Sequence, residues 1–218
     1  FLKDKPYRML EDLAIFYKVL ISKDANGTGT ITVTNNHMEY WGLTEEQLYE
    51  TAIKNSNVLE PPSIDRLTNV MADLMRAQGM DEDIIENQLK EDDIDMYVIS
   101  NTTKANGASV IVYSDALQQV AENLGSDLYI LPSSIHEVLA LPVGNKDVDS
   151  LEEMVRCVNQ TEVSPTEVLS DNVYKYDAES RTLSLASAKA ETVKETAVCE
   201  PSGYTGTVNE VARPRHHR

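Results

Sequence analysis

A chain of 218 residues, 41% of them hydrophobic, is long enough to bury one sizeable core. Its 19 Lys+Arg against 36 Asp+Glu give a formal charge of -17. That leaves no electrostatic footprint for nucleic acid or an anionic membrane, and it favours a basic partner, a cation or simple solubility. No apolar run approaches the ~20 residues of a membrane helix and no secretory signal is visible, so the cytoplasm is the expected location.

The chain starts at Phe1 in polar, helical-looking sequence without an initiator Met, and reads as a fragment lacking its true N-terminal part. Leu13 to Ile21 is apolar, β-branched and aromatic, and predicts a strand. Asn26-Gly27 predicts a hairpin turn, and Thr30–Thr34 alternates as the return strand. Thr44 with Gln47 three residues on forms a capping box for a helix with Leu48, Ala52 and Ile53 on its apolar side. Ser63 is placed to cap a second helix, which carries the stripe Ile64, Leu67, Val70, Met71, Leu74 and Met75 and ends at Gly79. A Met-rich stripe of this kind is either core or an exposed binding face.

Residues 44–96 hold 14 Asp/Glu against 4 Lys/Arg, so -10 of the -17 lies in a quarter of the chain. Within it, "DEDIIENQLKEDDID" is rich in oxygens but lacks the glycine and terminal glutamate of a calcium loop. It predicts a solvated helix and loop, with weak Ca²⁺ or Mg²⁺ binding as the alternative.

The hairpin–helix plan then repeats. Met96–Ser100, a turn at Asn106-Gly107, and Ala108–Tyr113 read as two strands, followed by a helix capped by Ser114 or Asp115 and stopped at Gly125. "DLYILPSS" and "IHEVLALP" read as the next two strands, followed by a helix capped by Asp149. The second and third copies are offset by about 31 to 34 residues, which suggests β-β-α units. "SPTEVLSD" predicts a short helix starting at Ser164, and "NVYKYDAESRTLSLA" a last hairpin. From residue 187 the chain is polar and reads as a disordered tail. The fold class is therefore α+β: one domain over residues 1–186, an antiparallel or mixed sheet, and helices packed on one face. Paired strands disfavour a doubly wound α/β fold.

At "LEDLAIFYKVLI", "ITVTNNHMEYWGLTEEQLYETAIKN", "DLYILPSSIHEVLALP" and "LEEMVRCVNQTEVSPTEVLSDNVYKYD", the chain resembles a bacterial family known as domain of unknown function 5688. The resemblance covers residues 7–185, and the tail departs from the pattern. It implies an uncharacterised cytoplasmic protein of gut Firmicutes, often carried on mobile elements and with a further N-terminal region. It transfers no catalytic residue.

The densest chemistry lies in Leu131–Pro142, where Ser133, Ser134, His136 and Glu137 fall within five residues. Strand alternation places Ser134 and His136 on one face and Glu137 on the other. A zinc-peptidase helix requires a histidine at residue 140, which is Ala140, and a nucleophile elbow requires glycines that are absent. A Ser–His pair with a distant acid survives as a catalytic reading of Ser133, Ser134 and His136. Against it stands a tight turn at Pro132–Ser134 whose hydroxyls bond backbone. Contact of that turn with a ligand or partner, through Glu137, is a third reading. His37, near Trp41, reads as packed or solvated, with both residues as binding candidates. Cys157 and Cys199 have no metal-type neighbours, His216 and His217 lie in the tail, and no metal or cofactor is expected.

The leading expectation is a non-catalytic acidic interaction module for a basic protein partner, in one form a mimic of nucleic acid. The alternatives are a Ser/His hydrolase and a domain that supports a missing N-terminal region. The last of these predicts an exposed apolar patch on a sheet. The sequence gives no oligomeric state.

Overall fold

The computed structural model describes residues 1–24, 27–90, 95–144 and 146–187. The tail expected from residue 187 lies, beyond Ser187, outside the described residues, as do Asn26, Cys199, His216 and His217. The chain opens with a 3-10 turn, Leu2–Asp4, and a hairpin of β1 (Tyr7–Leu10) and β2 (Leu13–Phe16). Here the backbone is extended where the sequence looked helical. β3 (Lys18–Asp24) and β4 (Gly27–Thr32) form the expected second hairpin. Two helices follow, α1 (Asn35–Trp41) and α2 (Glu45–Leu59), the latter opened by the Thr44–Gln47 capping box.

The next segment departs from expectation. Ser63 caps no helix and lies in a strand, β5 (Pro62–Arg66), while α3 (Leu67–Ala77) starts only after Arg66. The Pro61-Pro62 pair biases the preceding backbone towards extended conformations, and β5 finds an open partner, pairing Ile64 with Ile99. α4 (Glu82–Lys90) is the predicted acidic helix, and β6 (Tyr97–Asn101) the predicted strand.

Ala108–Tyr113 was expected as a strand. It is instead a 3-10 turn, Gly107–Ser109, running into α5 (Val110–Tyr113). The two edges of β6 are occupied by β5 and β8, so no ladder position remains for it. The run is apolar because Val110 and Tyr113 are buried, and a short apolar run does not distinguish helix from strand. The β-β-α plan therefore fails in the second copy. The helix expected to end that copy does form, as α6 (Ala116–Leu124) stopped by left-handed Gly125, and the whole plan holds in the third copy, with β7 (Leu128–Ser134), β8 (Glu137–Pro142) and α7 (Val148–Thr161). The α7 cap is Asp147, whose carboxylate accepts the Ser150 amide at 3.1 Å, and not Asp149. "SPTEVLSD" makes only a turn, closed by the Glu167 amide donating to the Ser164 carbonyl. β9 (Tyr174–Asp177) and β10 (Thr182–Leu185) form the last hairpin.

The fold is α+β, and every strand pair is antiparallel. The main sheet has six strands in the order β10-β9-β7-β8-β6-β5. Helices cover both its faces, not one. Leu128 and Ile130 of β7 join a core with α5 and α6, while Tyr129 and Leu131 join a second core with Leu151 and Val155 of α7. Burial on both sides removes the polar alternation that a half-exposed strand would show. The N-terminal hairpins share a small cluster built on Tyr17, Val33 and Leu48, and Leu13 of β2 packs against the larger core.

Candidate functional site

β6 and β7 end, and β5 and β8 begin, at one end of the main sheet, and the polar groups singled out in the sequence collect there. β7 shifts register between Leu131 and Ser134, and Ser134 pairs with Glu137. The turn is therefore Ile135–His136, one step beyond the expected Pro132–Ser134. His136 sits in that turn and not in a strand.

Backbone contacts fix the turn. The Ile135 amide donates to the Glu167 carbonyl at 2.8 Å, and the Ala108 amide to the Ile135 carbonyl at 3.2 Å. Buried Ser100 donates its hydroxyl to the His136 carbonyl at 2.7 Å. Gly107 allows this approach: a Cβ there would lie 2.4 Å from the His136 carbonyl oxygen and 2.1 Å from Ser100 Oγ. The same loop holds two non-glycine residues, Lys104 and Asn106, at positive φ of 56° and 51°.

The imidazole of His136 is half-exposed. Its Nδ1 accepts the Asn106 backbone N–H at 3.2 Å, and its Nε2 lies 3.5 Å from Glu167 Oε1. Accepting at Nδ1 assigns the neutral-ring proton to Nε2, facing the carboxylate. Ser134 Oγ accepts the His136 amide at 3.0 Å, a local side-chain-to-backbone turn. Ser133 is elsewhere, lining a small cavity of about 50 Å³ beneath α7 with Leu131, Met154 and Val158.

The structure thus brings the His136 ring to an acid, Glu167, while Ser134 bonds only the His136 backbone. A Ser–His–acid relay needs one ring nitrogen free to accept the hydroxyl, and that nitrogen is engaged by Asn106. Glu137 begins β8, paired with Ser134. Glu167 was read only as a helix-capping residue, and no local spacing signals its contact with a residue 31 positions earlier. Among the described residues, no group of three or more His, Cys, Asp or Glu side chains could hold a metal ion.

A second cluster forms where α1 meets α2. His37 is not a loop residue but the third position of α1, where its Nδ1 accepts the Thr34 amide at 3.1 Å. One turn on, Trp41 stacks on His37 with ring centroids 5.4 Å apart. Left-handed Gly42, φ 65°, ends the helix. Tyr40 is 89% exposed and Trp41 41%, so two large aromatics stand in solvent on a capped frame. Nothing in the sequence marked Tyr40.

Beneath this elbow Arg8 of β1 bonds Glu45 at 2.7 and 3.2 Å and Glu46 at 2.6 Å, and its guanidinium lies 3.9 Å from the Tyr49 ring centre. The hydrogen bond from Arg8 holds Glu45 below the usual carboxylate range, aided by the Tyr17 hydroxyl and opposed by burial. On the β3–β4 hairpin the partly exposed Val19 lies opposite Ile31.

A family model described as a family of unknown function matches residues 1–178. The chain belongs to that family, DUF5688. The match takes in the α1–α2 elbow, the His136 turn and the main sheet as far as β9. Among curated proteins and among solved structures nothing matches the chain. Family membership therefore brings no activity, and the site is judged on its own geometry. Among the described residues, no helix is long and apolar enough to cross a membrane.

Proposed function

We propose that this member of the DUF5688 family is a non-catalytic, acidic interaction module that binds a basic protein partner through the α1–α2 elbow. The supporting observation is the exposure of Tyr40 and Trp41 on a helix fixed by caps at both ends. Aromatic side chains dominate interface hot spots, and on a rigid element they lose little entropy on binding. Glu39, Glu46 and Glu50 are exposed around them in the sequence, and the chain carries -17. A basic partner would be steered to this surface and released by salt. In the same proposal the protein works in the bacterial cytoplasm.

The test is capture from bacterial lysate at about 50 mM salt with identification of the retained proteins, repeated at about 300 mM. The expected set is basic, elutes at the higher salt, and is lost with Y40A/W41A. A set unchanged by that variant, or no capture at low salt, overturns the proposal.

The 3.5 Å approach of His136 to Glu167 supports a second reading, a hydrolase in which His136 activates Ser134. Nδ1 would first have to release the Asn106 amide. Labelling of Ser134 by a fluorophosphonate, lost in H136A, would establish it, and absence of labelling would remove it.

A further inference from the structure

We infer that the outer edge of β4 pairs with β4 of a second copy of this chain, joining two β3–β4 hairpins into one antiparallel sheet. This surface is separate from the α1–α2 elbow, and the inference does not depend on the elbow.

The Val33 amide donates to the Tyr17 carbonyl at 2.9 Å. In an antiparallel ladder, facing pairs that bond each other alternate with pairs that do not. Val19–Ile31 is therefore the next bonded pair, and Lys18–Thr32 and Leu20–Thr30 are non-bonded pairs. The N–H and C=O groups of Thr30 and Thr32 point away from β3, and Thr28, two residues further along the strand, points the same way. Among the described residues, these outward groups of Thr30 and Thr32 have no hydrogen-bond partner. β4 is exposed or half-exposed along its whole length. Exposed strand edges are normally blunted by charge, proline or a bulge. β5, at one edge of the main sheet, carries Pro62, Asp65 and Arg66. β3 carries Lys18, Lys23 and a bulge at Ile21. β4 reads Gly-Thr-Gly-Thr-Ile-Thr, with neither charge nor proline.

The strand is complementary to itself, and this selects the occupant. About a two-fold axis at Thr30, Thr30 faces its counterpart and Thr28 faces Thr32 of the second copy. These are the outward-pointing residues, so each facing pair exchanges both of its N–H···O bonds. Ile31 then faces Gly29 of the second copy, where no side chain competes with it. Ile31 and Gly29 alternate onto one face of β4, the face on which Val19 lies opposite Ile31. Ile31 is 50% exposed there and Val19 37%. Pairing lays each isoleucine over the other copy's glycine and carries the half-exposed apolar strip across the joined sheet. On the opposite face the threonines line up as cross-strand pairs, which are favourable. A two-stranded ribbon is marginal alone, and further strands with an apolar face stabilise it. Charge permits a second copy at this edge: β4 sets no carboxylate against itself, although the chain carries -17.

The test is sedimentation of the full chain from about 1 to about 500 µM, the range of a small interface, with amide hydrogen exchange followed by NMR. The expected result is a monomer at the low end and a dimer at the high end, in which the Thr30 and Thr32 amides become protected. The Ile31 amide, already bonded to Val19, is expected to be protected at both ends. Thr30→Pro removes an outward N–H and no bond of the β3–β4 ladder. It is expected to weaken the dimer at least ~10-fold with Ile31 protection retained. Ile31→Glu, at a half-exposed side chain, sets like charges diagonally across the interface and is expected to weaken the dimer as well. Salt screens the repulsion between two acidic chains, so the dimer is expected to tighten from about 50 to about 300 mM salt, whereas a basic partner at the elbow is released. A monomer at about 500 µM in the higher salt, or a dimer that Thr30→Pro leaves intact with the Thr30 and Thr32 amides unprotected, overturns the inference. Protection of those amides only when a different protein is added also overturns it, because the edge then belongs to a foreign strand.

Discussion

Strand β7 buries five consecutive residues, Leu128 to Pro132, whereas strand β4 buries none of its six. The two regions are built on different physics. Residues 96–186, with β5 (Pro62–Arg66) added at one edge, hold a six-stranded sheet with a core on each face, so their stability comes from excluded water and dense packing. Residues 1–59 have two separate two-stranded hairpins and a cluster of three buried residues. Two-stranded sheets are marginal alone, and here directed polar contacts hold them. Arg8 ties β1 to α2, and Asp12 ties the β1–β2 turn to β9. The Asp12 carboxylate accepts from the Tyr174 hydroxyl, from Ser170 at 2.7 Å and from Asn172 at 3.1 Å. A rigid sheet thus carries a loosely cored, acidic, aromatic-bearing layer, and the candidate binding elbow belongs to that layer.

The contrast can be broken at graded points. Ile130→Ala, in the centre of the sheet at 0% exposure, is expected to cost about 4 kcal/mol in denaturant unfolding. Gly107→Ala should cost about 3 kcal/mol, because its Cβ would meet Asn101 N at 2.8 Å as well as the His136 carbonyl. Leu48→Ala, in the small N-terminal cluster, should cost about 2 kcal/mol. An equal loss from Leu48→Ala and Ile130→Ala would dissolve the distinction between the regions.

Polar changes follow with smaller effects. Burial alone would raise the Asp12 carboxyl, but hydrogen bonds from Tyr174, Ser170 and Asn172 outweigh it and leave it below its usual value of 3.8. A carboxyl lowered on folding stabilises the native state above its unfolded value, and that contribution is lost as pH falls through the folded value. Asp12→Asn should therefore cost about 1 to 2 kcal/mol near neutrality and flatten the decline in stability below about pH 4. An unchanged acid limb in the variant would contradict this role. Arg8→Ala, at a solvent-screened ion pair, should have the smallest effect on global stability of these changes and should loosen hydrogen-exchange protection in β1 and β2 before any other strand.

The same division explains what was legible in the sequence. The α2 capping box, the Gly125 stop and the β7–β8 and β9–β10 hairpins were readable because each is a local signal. Ala108–Tyr113 was not, since whether an apolar run becomes strand or helix depends on which sheet edges are free. Ser63 was misread as a cap because strand partnership with β6 overrode the local pattern. At the site, Ser134 and His136 were found but mispaired, since Glu167 and Asn106 reach the ring only through the fold. Trp41 was singled out by its residue type, while the exposure of Tyr40 beside it could be seen only once α1 was placed.

Trp41 is the single tryptophan of the chain, so its emission reports on the proposed elbow without a label. The most direct test is a titration of the full chain with a basic partner purified from the lysate capture, following Trp41 emission at low and high salt. A saturable change in emission, reversed by salt and matched by weaker binding of W41A, is the expected result. A partner that binds with Trp41 emission unchanged, and binds W41A equally well, would contradict the account.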